Sequence, residues 1–320
     1  TLFPYTTLFR SIEFGTWVGK QASLMAKTIV KSSQVAVKVK QGKGKNVGQV
    51  KEFLNGLRGE MSTAKSFVLS PQRDLKVLGR FDTVVIGGGT GGAPAAIAAA
   101  RNGAETLLVE FHHGLGGIGT MGLIGRYWYG NRVGFTKEVD EINDKRGWDS
   151  ETKKEWLRKA YVEAGGTLWT GSIGSGALVE DGHVKGVIVT TPEGRGVVLC
   201  KTVIDSTGNC DIAIAAGAKY EFVNKDEFGM QGTGLSPLTP ENSYTNSDWT
   251  FIDDMDMLDR KRAHVVAKLK FKGSWDMAQH IDTRERRHII GDYYLSPIDI
   301  ARGKTYPDNI VLSQSNWDSH

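Results

Sequence analysis

The chain has 320 residues, long enough for a full core plus a second domain. Its net charge of +4 is too mild to argue for a nucleic-acid partner. Its two cysteines, Cys200 and Cys210, form no CxxC pair and cannot hold an iron–sulfur cluster alone. No run is long and apolar enough to span a bilayer, so no membrane span is expected.

Residues 1–11, TLFPYTTLFRS, read like a translated sequencing-library adapter and are set apart from the fold as an expected artefact. On that expectation the true N-terminus is missing. Localisation is then left open, with the cytoplasm as default. Residues 12–78 read as an N-terminal remnant or linker. Gln34 to Lys40 alternates like a half-exposed strand, and Val47 to Leu57 is expected to form a short helix. The lysines at 38, 40, 43, 45 and 51 read as a solvated run rather than a binding tail.

Phe81 to Glu110, FDTVVIGGGTGGAPAAIAAARNGAETLLVE, carries the strongest signal. Thr83 to Ile86 suits a buried parallel strand. Gly87 permits the tight turn out of it, Gly89 lets backbone approach a pyrophosphate, and Gly92 lets the following helix pack on the strand. Pro94 falls near the helix start, where its missing N–H costs little. Asn102-Gly103 ends the helix, and Glu105 to Val109 is a second strand. Glu110 closes that strand roughly 20 positions after the first glycine, where a carboxylate accepts ribose hydroxyls and repels a 2′-phosphate. The whole unit is a grip for the ADP half of a dinucleotide.

Next comes a glycine-rich loop with Gly116, Gly117 and Thr120, followed by an aromatic cluster at Tyr127, Trp128 and Tyr129. Ser150 to Ala164 is expected to be an amphipathic helix capped by Ser150, with Trp156, Leu157, Ala160, Tyr161 and Ala164 on one face. Thr167 to Thr170 reads as a strand. Ala177 to Cys200 reads as an antiparallel meander, with Asp181-Gly182 as a hairpin turn. A buried strand then ends at Asp205, before a Thr207-Gly208 turn and a helix from Ile212. Gly171 to Gly176 is glycine-rich but has no following helix and acid, so a second, nicotinamide domain is not supported. Beyond Ala218 periodicity weakens, apart from a helical stretch at Met257 to Lys270 and a helix or strand at Arg284 to Leu295.

Three separated motifs, GGGTGG with Glu110, LGGIGT and VIDSTGNCD, resemble those of FAD-dependent oxidoreductases of the two-dinucleotide-fold superfamily. More narrowly, the chain resembles the bacterial family related to the flavin part of heterodisulfide reductase, in which a segment like TRERRHIIGDYYL follows. The resemblance covers roughly 79–318. It implies a Rossmann-like FAD-binding domain at 79–217, a parallel sheet with helices and an antiparallel β-meander crossover. An incomplete α+β substrate domain would occupy 218–320. It also implies that Gly87, Gly89 and Gly92 hold the pyrophosphate and Glu110 the adenosine ribose. Gly116, Gly117 and Thr120 would pass the ribityl chain and flavin, and Ser172 or Ile173 would meet adenine through backbone. Thr207, Gly208 and Asp211 would close the site, with Ser206 where relatives carry alanine. Two departures stand out: the cysteine clusters of the heterodisulfide reductase relatives are missing, and nothing after Val311 matches the family's final flavin segment. On that reading the chain is C-terminally truncated.

A flavin performs hydride chemistry itself, so the protein's contributions are position and electrostatics. The residues singled out for that role are Arg284, Arg287 and His288, with Arg286 beside them, and Tyr127 with its neighbours Asn131 and Arg132. Arginines here suit an anionic substrate or charge on reduced flavin, and equally a surface salt-bridge cluster with Asp282 and Glu285. His112-His113 lacks a third ligand at useful spacing, so no metal site is expected. The expected partners are a small-molecule substrate and an electron donor or acceptor supplied from elsewhere. A nicotinamide-dependent dehydrogenase, a non-catalytic FAD-binding module and an inactive fragment stay open as alternatives.

Overall fold

The computed structural model describes residues 8–29, 48–52, 74–122, 132–142, 149–222 and 287–308, with single positions at 257, 258, 261, 262, 265, 269 and 310. The expectations for Gln34 to Lys40, for Tyr127, Trp128, Tyr129 and Asn131, for Asp282 to Arg286 and for the segment after Val311 lie outside the described residues.

The core is a seven-stranded sheet ordered β1-β5-β6-β7-β2-β3-β4. Its strands are β1 (Gln49–Glu52), β2 (Lys76–Ile86), β3 (Thr106–Glu110), β4 (Thr167–Thr170), β5 (Ile173–Glu180), β6 (His183–Thr191) and β7 (Gly194–Asp205). β2 pairs in parallel with β3 and β7, and β3 with β4. β5, β6 and β7 form the antiparallel meander, to which β1 adds antiparallel on β5. Asp181 and Gly182 both take positive φ, 49° and 75°, which is what the two-residue hairpin between β5 and β6 demands.

Three expectations need correction. Residues 49–52 are a strand, not part of a helix: Gln49 to Glu52 pair with Val179 to Gly176, and a cross-strand partner overrides weak helical periodicity. β2 is eleven residues long, not four. Only Thr83 to Ile86 are buried, so the apolar signal marked only that half, and pairing to Gly196–Cys200 supplies the rest. Helix α4 (Ser150–Glu163) is capped by Asp149, whose side chain accepts from the Thr152 amide at 2.7 Å, and Ser150 is its first helical residue.

Alternation along β2 and β3 divides the core. Val85 and Leu108 point to one face, where α1 (Leu8–Thr28), α2 (Gly92–Arg101), α3 (Phe135–Ile142) and α4 pack through Ala22, Ala96, Ile97, Phe135, Val139, Leu157 and Tyr161. Val84, Ile86, Leu107 and Val109 point to the other, where they meet Ala177, Val179, Val187 and Val189 of the meander and Ile212 and Ala215 of α5 (Asp211–Ala216). Strands covered on both faces read as continuous apolar runs, as VVI and TLLV do. The buried Tyr161 hydroxyl donates to the carbonyls of Thr106 and Thr167, at 2.8 and 3.1 Å, and ties α4 to β3 and β4.

α1 takes in the end of the segment set apart as an artefact, from Leu8, and the start of the segment read as a linker. Gly15 and Gly19 lie one turn apart, and a Cβ on either would stand 2.1 Å from the Gly91 carbonyl oxygen or 1.8 Å from that of Ala95. The two backbones therefore meet without side chains between them. Lys201 of β7 donates to the Ala26 carbonyl at 3.1 Å and pairs with Asp82 at 2.8 Å, fixing the far end of α1. A second, two-stranded sheet joins β8 (Tyr220–Phe222) to β9 (Arg287–Ile289). Among the described residues, no helix is long and apolar enough to cross a membrane.

Replacing Gly19 by leucine sets a side chain against main chain that cannot yield. Urea unfolding should show a loss of about 3 kcal/mol, the upper part of the overpacking range. A loss under about 0.5 kcal/mol would show that α1 does not dock on α2 in solution.

Candidate functional site

The four parallel strands end on one edge of the sheet, and every loop expected to contact the cofactor leaves from that edge. β2 leads into Gly87, β3 ends at Glu110, β4 leads to Ser172 and β7 ends at Asp205 before Thr207. In open α/β sheets this carboxyl edge, where the chain leaves a central strand toward both sides, is where ligands bind.

Steric demands separate the glycines. Gly87 has φ 90°, and a Cβ there would lie 2.3 Å from the Ser206 carbonyl oxygen. A Cβ on Gly92 would lie 1.8 Å from the Gly87 carbonyl oxygen, so α2 presses directly on the strand end. Gly116 and Gly117 take φ 103° and 55°, and a Cβ on Gly117 would come 2.9 Å from the Gly89 Cα. Gly89 differs from all of these. Its φ is not left-handed, and a Cβ there would meet nothing within 4 Å.

The loops hold one another. The Gly116 amide donates to the Gly88 carbonyl at 2.8 Å, and the Thr90 hydroxyl to the Gly116 carbonyl at 3.2 Å. The buried Thr120 hydroxyl donates to the Leu115 carbonyl at 2.5 Å and shapes the loop. Glu110 is buried, and its carboxylate accepts from the Gly88 amide at 2.5 Å and the His112 amide at 2.7 Å. The Ser172 amide donates to the Glu110 carbonyl at 3.2 Å, while the neighbouring Ile173 side chain is exposed.

On the β7 side, Asp205 organises the turn. One carboxylate oxygen accepts from the Thr207 amide and hydroxyl at 3.1 and 2.8 Å, and the other from the amides of Ile212 and Ala213 at 2.9 and 2.8 Å. Gly208 has φ 71° and Cys210 φ 57°, so the turn passes twice through the left-handed region. Asp211 lies beyond it, with its carboxyl held above the usual carboxylate range. Burial is the largest cause, opposed by the charge of Arg287. Arg287 is itself buried and pairs with Asp211 at 3.1 Å, so its charge is directed at that carboxylate. His288 follows on β9, 4.0 Å from the Glu221 carboxylate. Tyr127 and Arg284 lie outside the described residues. Arg132, singled out with Tyr127 for the substrate face of the flavin, pairs with Asp140 of α3 at 2.5 Å.

Two residues of this region escape a sequence reading. Asp205 carried a signal, an acid ending a strand just before a turn and a helix. Lys153 carried none, since lysine on a helix is ordinarily exposed. Here it is buried and lines a small cavity with Thr90 and Gly116, and burial pushes its amine down to about 7.

This arrangement defines a dinucleotide-binding α/β protein, with a glycine turn, an acid on the neighbouring strand and a second turn across the central strand. A family model described as FAD dependent oxidoreductase matches residues 82–268, more than half of the chain, and the chain belongs to that family. It is an enzyme, and FAD is its cofactor. The thiamine thiazole synthase of Methanococcus vannielii is 30% identical over 213 residues, covering 59% of this chain and 78% of that protein. That of Methanococcus maripaludis is 30% identical over 191 residues, covering 52% and 70%. Among solved structures, THI4 of Thermovibrio ammonificans aligns with a TM-score of 0.37 at 21% identity, over 45% of this chain and 66% of that one. A geranylgeranyl bacteriochlorophyll reductase-like protein of Thermoplasma acidophilum aligns with a TM-score of 0.38 at 17% identity, over 63% and 64%. The chain thus spans just under two thirds of either solved structure.

Asp205→Ala removes the acceptor for four donors at the start of α5. It should cost about 2 kcal/mol or more in urea unfolding, with Asp205→Asn, which keeps one carbonyl acceptor, falling between. Equal stability of the alanine variant and the parent chain would show that this carboxylate does not hold the turn.

Proposed function

We propose that the chain binds FAD non-covalently along the carboxyl edge of β2, β3, β4 and β7 and serves hydride transfer with a small organic substrate. Gly89 carries the proposal. The fold gives no steric reason for a glycine there, and Gly89 stands three residues before α2, whose first amides and positive dipole end suit a pyrophosphate. The fit extends to the neighbours. Glu110, set by two amides, retains lone pairs for ribose hydroxyls, and the Gly116-Gly117 loop lies against Gly89. When bound, FAD supplies a flavin ring that accepts or donates a hydride.

Within this reading residues 79–217 form the cofactor domain and 218–320 belong to a substrate domain that begins with β8 and β9. Asp211 orients toward the cofactor and Arg287 holds it there. Arg284, His288 and Tyr127 remain proposals for the substrate face. The substrate and an external electron donor or acceptor complete the cycle.

Gly89→Val and Gly92→Val should separate folding from binding. The Gly89 variant should melt within about 1 kcal/mol of the parent chain yet bind FAD at least tenfold more weakly by flavin absorbance and fluorescence, a loss of about 1.4 kcal/mol. The Gly92 variant should lose the fold itself. Undiminished FAD affinity in the Gly89 variant would remove the pyrophosphate from this turn.

A second reading follows from the two Methanococcus relatives, whose name is thiamine thiazole synthase. Anaerobic titration of the FAD-loaded chain with panels of small alcohols, amines and acids should bleach the flavin at about 450 nm, the sign of hydride transfer to an oxidised flavin. No bleaching with any of them, together with rescue of a bacterium that requires the thiazole half of thiamine, would replace hydride transfer by thiazole synthesis.

A further inference from the structure

α1 meets the rest of the fold through small residues. Gly15, Gly19, Ala22, Ser23 and Ala26 are buried, the two glycines against main chain of the α2 segment, and the Ser23 hydroxyl donates to the Asn102 carbonyl at 3.2 Å. The bulk of the helix is left outside. Phe14, Trp17, Leu24 and Met25 are 47, 40, 45 and 58% exposed, and the first two rings stack with centroids 6.0 Å apart. At 3.6 residues per turn these four fall within an arc of roughly 100°, opposite the buried face. A helix that faces only water has the reverse arrangement, with its large apolar residues turned to the core.

Charge sets the same segment apart from the rest of the chain. Residues 14–45 hold seven lysines, at 20, 27, 31, 38, 40, 43 and 45, and no arginine, aspartate or glutamate. With the whole chain at +4, the remainder is left at −3. Lys20 and Lys27 are exposed and stand two turns apart along one border of the apolar arc. The lysines from Lys31 to Lys45 lie outside the described residues and follow α1 directly in the chain. Glu13, the acid just before the segment, is turned inward, its carboxylate accepting from the Thr136 amide and hydroxyl at 3.4 and 3.3 Å. Alone, a lysine run reads as solvated. Beside an exposed aromatic and aliphatic stripe it supplies the second of two signals that hold a protein to a bilayer surface, apolar insertion and attraction to anionic headgroups.

We propose that the outer face of α1 is a docking surface for an anionic lipid bilayer, with Phe14, Trp17, Leu24 and Met25 entering the acyl boundary and Lys20, Lys27 and the lysines that follow meeting the headgroups. The helix lies along the surface, since no described helix is long and apolar enough to cross a membrane. Leu24 and Met25 favour lipid over nucleic acid, to whose phosphates and bases they offer nothing. Lipid is also favoured over a second copy of this chain. A two-fold contact on this face sets the same lysines against each other, and residues 14–45 contain no carboxylate to separate them. The surface does not depend on the cofactor reading above. Because Gly15 abuts Gly91, the residue before α2, a bilayer on this face lies one helix away from the glycine turn.

Co-sedimentation of the full chain with sucrose-loaded vesicles tests this. Vesicles holding about 30% phosphatidylserine should bind about tenfold more tightly than pure phosphatidylcholine, and about 0.5 M salt, which shortens the screening length, should weaken that binding about tenfold. The double variant Leu24→Glu/Met25→Glu changes exposed positions only. It should lose vesicle binding by about tenfold or more with an unchanged melting temperature. Equal binding by parent and variant, equal affinity for both vesicle types, or no binding to the anionic vesicles overturns the proposal. So does a salt-sensitive complex with single-stranded RNA, or a dimer that the variant dissolves, in a chain that leaves the vesicles alone. Should the variant not fold, bromine on the lipid acyl chains must quench part of the parent chain's tryptophan emission, and Trp17→Phe must remove that part. Emission unchanged by brominated vesicles is equally decisive against the proposal.

Discussion

The carbonyl oxygen of Gly87 stands where a Cβ on Gly92 would be, 1.8 Å away. From that one approach follows the placement of α2, because a helix pressed onto the strand end must aim its first turn over the carboxyl edge of the sheet. The same closeness continues outward. Gly91 and Ala95 of the α2 segment receive Gly15 and Gly19 of α1, again main chain on main chain. The opposite side of Gly87 abuts Ser206, so the turn after β7 is fixed by the same residue. Three elements are registered to one another by missing side chains, and the loops that depend on them inherit that precision.

Polar groups complete what the glycines begin. Glu110 and Asp205 stand at the ends of the two strands flanking β2, and each spends its carboxylate on backbone amides of its own edge. Asp205 is filled by its own turn, each oxygen accepting two bonds, whereas Glu110 accepts one amide on each oxygen. Charge-assisted bonds to amides are roughly twice as strong as neutral ones, which suits loops that carry few apolar contacts. Arg287 extends the scheme to the second sheet, since its guanidinium on β9 grips Asp211 beside the β7 turn.

Much of this was legible beforehand, for identifiable reasons. The β2–α2–β3 unit announces itself because both strands are buried on both faces and the glycines answer local steric demands. The β5–β6 hairpin announces itself because Asp181-Gly182 satisfies its own turn. What stayed hidden depends on distant partners. Gly15 and Gly19 look like ordinary helix weakeners until α2 is placed against them. Residues 49–52 are a strand only because β5 offers an edge. The first half of β2 has no alternation to betray it, and Lys153 on an apolar stripe is invisible until the stripe is known to be covered. In the site, the glycine and acid positions were readable from spacing, whereas the pairing of Arg287 with Asp211 joins residues whose proximity no local pattern encodes.

The strand β7 has a consequence for how the molecule comes into being. Its pairing with β2 joins Thr83 to Thr202, whose hydroxyls meet at 2.9 Å across 119 positions of sequence. The glycine turn, the Glu110 loop, the Ser172 turn and the Asp205 turn are thus brought to one edge only when a long chain closure has been achieved. Such closures are entropically costly and slow relative to the helices and hairpins around them. A nascent chain that has already made β2, α2 and β3 owns the recognisable half of the grip, yet the edge proposed here for the cofactor is not complete until β7 arrives. A cofactor site on that edge is therefore assembled by a contact between segments far apart in the chain, not by the local β2–α2–β3 unit alone.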